Sequence, residues 1–108
     1  EYGFNLLLIG IDKPTVDLKV AELSKIYKNI RIISLVVDLS KVNELQELEE
    51  QFARLADIDI GIVINNAGTL SRGPYVTIEP EGLVRDLNVD LCAIFTINRI
   101  LVPRLRNR

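Results

Sequence analysis

Ile58-Asp59-Ile60-Gly61-Ile62-Val63-Ile64-Asn65-Asn66-Ala67-Gly68 decides the fold. The stretch up to Ile64 is mostly apolar and rich in β-branched residues. A short run of that kind, closed by turn residues, fits a strand buried on both faces, as in a parallel sheet. The residues from Asn65 onward differ in character. Two side-chain amides at a strand end can bridge to neighbouring strands, and Ala67 and Gly68 leave room for a ligand to approach the backbone. Alone, Asn65-Asn66-Ala67-Gly68 would read as a polar turn. After Ile62-Val63-Ile64 and ahead of a helix, it reads as the ligand-facing end of a parallel strand.

Outward from this stretch, strand and helix patterns alternate. Asn5 to Ile9 is apolar without polar alternation and predicts a first buried strand, ending at Gly10. Asp12 predicts a helix cap, and Pro14 fits a first turn, where a missing N–H costs little. Val16, Val20, Leu23 and Tyr27 follow at helical spacing, and Asn29 ends the helix. Ile30 to Val37 predicts a second strand, followed by Asp38-Leu39-Ser40 with Ser40 as the next N-cap. On that next helix Val42, Leu45, Leu48, Phe52 and Leu55 share a face. After the strand Ile58 to Ile64, Thr69 to Glu79 reads as a loop turning at Gly73-Pro74. A long helix then covers about Glu81 to Val102, with Pro80 near its start and Pro103 near its end. Leu83, Leu87, Leu91, Ile94 and Leu101 form its apolar face. This order predicts an α/β fold of parallel β-α-β units, with ligands beyond the carboxyl ends of the strands.

Composition narrows the function. The 108 residues are 48% hydrophobic and 26% charged, an ordinary globular balance. Thirteen Lys and Arg against fifteen Asp and Glu leave a net charge of -2, which argues against a nucleic-acid partner. There is no His, so a His-containing triad or a His-based metal site is excluded within the chain, and no metal is expected. The single cysteine, Cys92, has no internal partner and sits on or near an apolar helix face, as a structural thiol does. No apolar run approaches the ~20 residues of a membrane helix, and no signal peptide opens the chain. The chain contains no Met, so it is expected to be a piece of a longer protein. Gly68 to Gly73 has the glycine spacing of a phosphate loop, but Pro74 and Tyr75 stand where Lys and Ser or Thr are required. Arg104, Arg106 and Arg108 read as a solvated helix end that suits the helix dipole.

The strand ends carry the candidate chemistry. Gly10-Ile11-Asp12-Lys13 lies where a nucleotide-binding sheet reads the adenosine ribose. An acidic residue there takes the 2′-hydroxyl and a basic one a 2′-phosphate, so adjacent Asp12 and Lys13 split the signal. The simpler reading is a cap followed by a solvated lysine. Asp38 can accept a hydrogen bond from an adenine amino group, with the next backbone N–H serving a ring nitrogen. It is equally a strand-to-helix turn residue.

In this order, the strand Asn5–Ile9, Asp38-Leu39-Ser40 and Asn65-Asn66-Ala67-Gly68 resemble the short-chain dehydrogenases/reductases. Tyr2-Gly3-Phe4-Asn5-Leu6-Leu7-Leu8-Ile9, Ile58 to Asn66 and Leu101-Val102-Pro103 look like the branch of very-long-chain 3-oxoacyl-CoA reductases and 17β-hydroxysteroid dehydrogenases. The resemblance implies a partial Rossmann-like, doubly wound parallel sheet: strands 2–4 of the family fold with their connecting helices. Residues 1–108 would then be an incomplete NAD(P)-binding domain. It lacks the first strand with its glycine-rich loop, and it lacks the C-terminal catalytic half. Asp38 would contact the adenine amino group, with the Leu39 backbone alongside. Asn65 would tie the central strands together, and Ala67 and Gly68 would line the adenosine-ribose side of the cofactor. The helix 81–102 would be a homodimer face.

The departures from the family are as informative. Its catalytic Asn lies thirteen residues before the Pro that ends the long helix, and here that position is Asp90. Asn88 is two residues earlier, about 200° around a regular helix, and is no simple replacement. Aspartate keeps the size, loses the amide donor and adds a charge. Ile11 stands where the branch carries an Arg that favours NADP, so NADP over NAD rests on resemblance, with Lys13 as a substitute contact. No tyrosine has Lys four residues on: Tyr27 has Arg31 and Tyr75 has Glu79. The family's Ser and Tyr-x-x-x-Lys acid/base machinery is thus not in these residues, and the 108 residues alone are expected to be inactive.

Two functions follow as expectations. The first is an NAD(P)(H)-dependent oxidoreductase that reduces a ketone or oxidises an alcohol on a lipid-like small molecule, a 3-oxoacyl-CoA or a steroid. The second is a non-catalytic relative that binds a cofactor or a protein, toward which Asp90 and Ile11 lean. The resemblance places the first at the endoplasmic reticulum membrane; without it the expectation is an intracellular, cytoplasmic protein. With the family's first strand absent, two apolar strand edges lie bare, so the 108 residues are expected to aggregate or fold only in part.

Overall fold

A computed structural model of the chain describes residues 3–41 and 45–107. The expected contributions of Tyr2, Val42 and Arg108, and of the Leu45 side chain, lie outside the described residues. The chain divides into two compact units, Glu1–Asp38 and Leu39–Arg108.

In the first unit, β1 (Leu6–Gly10) and β2 (Ile32–Val36) form a parallel two-stranded sheet connected by α1 (Lys13–Ile26). The register pairs Leu6 with Ile32 and Gly10 with Val36. Beyond the paired residues, the Leu6 N–H donates to the Arg31 carbonyl and the Val37 N–H to the Gly10 carbonyl, both at 2.9 Å. The Arg31 N–H donates to Asn5 Oδ1 at 2.8 Å, so a side chain extends the ladder where β1 begins. Asp12 is extended, its Oδ2 accepts the Thr15 N–H at 2.9 Å, and Pro14 lies in the first turn of α1. The helix stops at Ile26, before Asn29, because Tyr27 turns to an extended conformation with φ -110° and ψ 90°. Gly10 is required by close approach: a Cβ there would lie 2.6 Å from Val16 Cγ2, and Val16 is the buried residue of α1.

The second unit is built on helices. Leu39–Lys41 is a 3₁₀ turn and α2 covers Leu45–Ala53; the start of the helix that Ser40 is expected to cap lies outside the described residues. α3 (Pro80–Leu87), a π turn (Asn88–Cys92) and α4 (Ala93–Arg106) follow one another without a break. Leu48 and Phe52, one turn apart on α2, are each 1% exposed. They pack with α4, where Ala93, Ile97 and Leu101 repeat every four residues and are buried. Burying a side chain of the size of Leu or Phe stabilises by about 1.5–3 kcal/mol, so these two anchor the unit.

Three expectations give way here. The strand expected over Ile58 to Ile64 has no ladder partner among the described residues, and Ile62 and Ile64 stay 61% and 81% exposed. A strand takes its stability from paired neighbours, and apolar composition alone does not supply one. Pro103 lies inside α4, which continues to Arg106. The missing N–H removes one bond of the last turn, and the Arg104 side chain compensates by anchoring that turn to the segment after α2. Its Nη2 donates to the carbonyls of Leu55 at 2.7 Å and Ile58 at 2.6 Å. Arg104 is therefore a built contact and not merely a solvated charge. Finally, Leu87 and Leu91 are exposed although Leu101 is buried. The π turn between them shifts the face by about one residue, ~100°, so a periodicity read along a straight helix misplaces one side of it.

Candidate functional site

The site is made by residues 65–71 laid against the long helix. The Asn65 side-chain amide donates to Asn98 Oδ1 at 3.2 Å. The Thr69 N–H donates to Asp90 Oδ1 at 2.9 Å. The Ser71 N–H donates to Asp86 Oδ2 at 2.6 Å. Arg85 Nη2 donates to Ser71 Oγ at 3.1 Å and reaches Asp86 Oδ1 at 3.4 Å. As the segment advances from 65 to 71, its helix partners retreat from 98 to 86, so the two run antiparallel.

The spacings explain why so many bonds form. An extended chain rises ~3.3 Å per residue, so Thr69 and Ser71 are spaced by ~6.6 Å. A helix rises ~1.5 Å per residue, so Asp90 and Asp86 are spaced by ~6 Å. The longer step matches as well: ~13 Å from 65 to 69 against ~12 Å from 98 to 90. The π turn supplies the rotation. In an unbroken α-helix, positions 86 and 98 would point ~120° apart; absorbing one extra residue brings them within ~20°. Asp90, inside the π turn, lies on the same row.

Ala67, Gly68, Thr69, Leu70 and Asp90 line an open recess of about 480 Å³. Its wall is low because residues 67 and 68 carry little side chain. A Cβ on Gly68 would meet Asp90 Oδ1 at 3.6 Å, an ordinary contact. Backbone amide and carbonyl groups are therefore accessible along one edge, with the Asp90 carboxylate on the other. The Ser71 N–H bond, with smaller help from the Ser71 hydroxyl and Arg85, holds the Asp86 carboxyl below the usual carboxylate range. Among the described residues, no group of His, Cys, Asp and Glu is arranged to hold a metal ion.

The residues singled out from the sequence divide between the units. Ile11, Lys13 and Asp38 belong to the first; Leu39, Asn65, Ala67, Gly68 and Asp90 belong to the second. Ile11 is 64% exposed at the end of β1. Lys13 pairs with Asp17 one turn along α1, and Asp12 is occupied in capping that helix. The Thr15 hydroxyl and then its N–H hold Asp12 below the usual carboxylate range. Asp38 and Leu39 are half-buried where β2 gives way to the 3₁₀ turn. Ala67, Gly68 and Asp90 come together in the recess, whereas Asn65 bonds across to α4. Asn88 is buried, and its amide donates to the Ser40 carbonyl at 2.7 Å, a packing role. Asp86, Ser71, Arg85 and Asn98 escaped notice in the sequence. The available signal was Asp86 and Asp90 four apart on one helix, which by itself reads as a solvated acidic face.

No family model matches the chain. A Caenorhabditis elegans protein that carries the name steroid dehydrogenase 4 is 26% identical over 98% of the chain and 41% of its own length. The very-long-chain 3-oxoacyl-CoA reductase of Podospora anserina is 29% identical over 89% of the chain and 26% of its own length. The bulky-bulky ketone specific alcohol dehydrogenase of Comamonas testosteroni superposes with a TM-score of 0.82 at 27% identity, covering 97% of the chain and 41% of that enzyme. L-sorbose reductase from Gluconobacter frateurii, solved with NADPH and L-sorbose, superposes with a TM-score of 0.80 at 21% identity and shares the fold. It is covered over 39% of its length, so the chain spans less than half of each of these proteins.

Proposed function

We propose that the chain is the central part of a nicotinamide-dependent oxidoreductase of the short-chain dehydrogenase/reductase type, which the relatives and solved structures it is similar to support. The observation that carries the reading is the recess at Ala67, Gly68, Thr69 and Asp90. There, small residues after an apolar run open the backbone beside Asp90, the position to which the resemblance would assign the family's catalytic Asn. A nicotinamide cofactor fits this donor set: Gly68 and Ala67 present backbone without a side-chain wall, as the ribose side of a dinucleotide requires. Asp38 and the Leu39 N–H would hold the adenine, and Ile11 and Lys13 would lie at the ribose. When bound, the cofactor supplies hydride chemistry at a carbonyl or alcohol carbon. These residues themselves bind and orient. Asp90 Oδ1 is engaged by the Thr69 N–H, so Asp90 acts first as a holder of the recess wall.

The substrate in this reading is a lipid-like ketone or alcohol, a 3-oxoacyl-CoA or a steroid. The names of the C. elegans and P. anserina relatives support it. The family resemblance would put the protein at the endoplasmic reticulum membrane; among the described residues no helix is long and apolar enough to cross a membrane. NADP is favoured over NAD by the same resemblance. The exposed row Val84, Leu87, Leu91, Phe95 and Val102 would be the homodimer face, with the 108 residues alone lacking the acid/base groups for turnover. The test is a panel assay on the full-length protein: NADPH and NADH, each against a long-chain 3-oxoacyl-CoA and a 17-ketosteroid. Oxidation of NADPH with either ketone supports the proposal. Cofactor binding without turnover of any ketone or alcohol would favour a non-catalytic binding protein instead.

A further inference from the structure

We propose that Asp86 is a positioning residue that holds the backbone of the recess in register against the long helix. The inference rests on the cofactor-binding reading above. Three features point to Asp86. Its Oδ2 accepts the Ser71 N–H at 2.6 Å, closer than the Thr69 N–H lies to Asp90. Its Oδ1 lies 3.4 Å from Arg85 Nη2, which also donates to Ser71 Oγ at 3.1 Å, so Ser71 is gripped through both backbone and side chain. The opposite side is closed by Gly82, where a Cβ would come within 2.9 Å of Ser71 Oγ. Ser71 thus sits in a slot with a carboxylate, a guanidinium and a bare helix turn around it.

The position of this slot gives it consequence. Asp90 fixes Thr69, inside the recess, and Asp86 fixes Ser71, just beyond it. With one carboxylate the segment is pinned at a single point and can pivot; with two, spaced to match alternate residues of an extended chain, its direction is set. The π turn brings both carboxylates and Asn98 onto one row, so the helix irregularity and the segment bonds form a single device. Asp86 touches neither substrate nor reacting atoms and acts only through the backbone it holds.

The test uses the full-length protein and two readouts. Asp86→Ala removes the acceptor, and Asp86→Asn keeps a neutral one in the same shape. Amide hydrogen exchange is measured across residues 67–72 without cofactor, and NADPH affinity by titration. The expected result for Asp86→Ala is at least about tenfold faster exchange confined to this segment, together with about tenfold weaker NADPH binding. Asp86→Asn should return both to within about threefold of the unsubstituted protein. Should Asp86→Ala fail to fold, Asp86→Ser, which keeps a polar group too short to reach the Ser71 N–H, carries the test: faster exchange with weaker NADPH binding supports the proposal, and both unchanged, or faster exchange with affinity unchanged, overturns it. Unchanged exchange in Asp86→Ala, or faster exchange with unchanged NADPH affinity, also overturns it. If the unsubstituted protein binds neither NADPH nor NADH, the cofactor reading fails, and the exchange arm alone decides whether Asp86 holds the segment.

Discussion

Replacing Arg104 distinguishes a structural clamp from a solvated charge. Arg104 Nη2 lies 2.7 Å from the Leu55 carbonyl and 2.6 Å from the Ile58 carbonyl, with the Ala56 carbonyl at 3.5 Å. These carbonyls follow α2, where the chain has left the helix; the Leu55 carbonyl also accepts the Ile58 N–H at 3.1 Å, so Arg104 ties down a turn that the backbone has already begun to close. Hydrogen bonds to charged groups contribute about 1.5–3 kcal/mol net, and the half-exposed position puts Arg104 near the low end, about 2 kcal/mol. A solvated arginine would be worth less than about 0.5 kcal/mol. Lysine can reach one carbonyl but cannot present a planar fork, so Arg104→Lys should lose about half of the effect. The assay is urea unfolding of the full-length protein followed by circular dichroism, with hydrogen exchange read over residues 54–60. Arg104→Ala should destabilise by about 2 kcal/mol and speed exchange in that segment. A loss below about 0.5 kcal/mol, or full retention by Arg104→Lys, would refute the clamp.

Other expectations follow from the same packing. Phe52→Ala should cost about 3–5 kcal/mol in urea unfolding, because Phe52 is 1% exposed between α2 and α4, whereas Phe52→Leu should cost less than half of that. Asp12 and Asp86 both titrate below the unfolded value of about 3.9. Their stabilisation is therefore complete above about pH 4 and lost as the pH falls through their folded values, so the urea midpoint should decline in acid, with a shallower decline in Asp86→Asn. Asp90→Asn keeps an oxygen for the Thr69 N–H and restores the residue type of the resembled family. Ketone turnover should be retained or raised; a fall of tenfold or more would mean that the carboxylate charge itself is used.

The legible parts of the fold were those encoded within one turn or one strand. Asp12 and Pro14 announce the start of α1, and the cap forms as expected. Leu48 and Phe52 are four apart and both buried. The ends of elements were less legible: Tyr27 leaves the helix before Asn29. Ile58 to Ile64 has strand composition, but a ladder depends on a neighbour, and local sequence cannot report one. For the site, Ala67, Gly68 and Asp90 were found by strand-end logic and resemblance. Asp86 with Ser71 and Arg104 with Leu55 were not, because their partners are 15 and 49 residues away in sequence and no periodicity links them.

Hydride transfer by the full-length protein is the most direct test of the oxidoreductase reading. NADPH carrying deuterium at the transferable position of its nicotinamide is incubated with the protein and a long-chain 3-oxoacyl-CoA or a 17-ketosteroid, and the product is weighed by mass spectrometry. The expected product is an alcohol heavier by one deuterium at the carbinol carbon. Absence of label in every product, together with no measurable binding of NADPH or NADH, would contradict that reading.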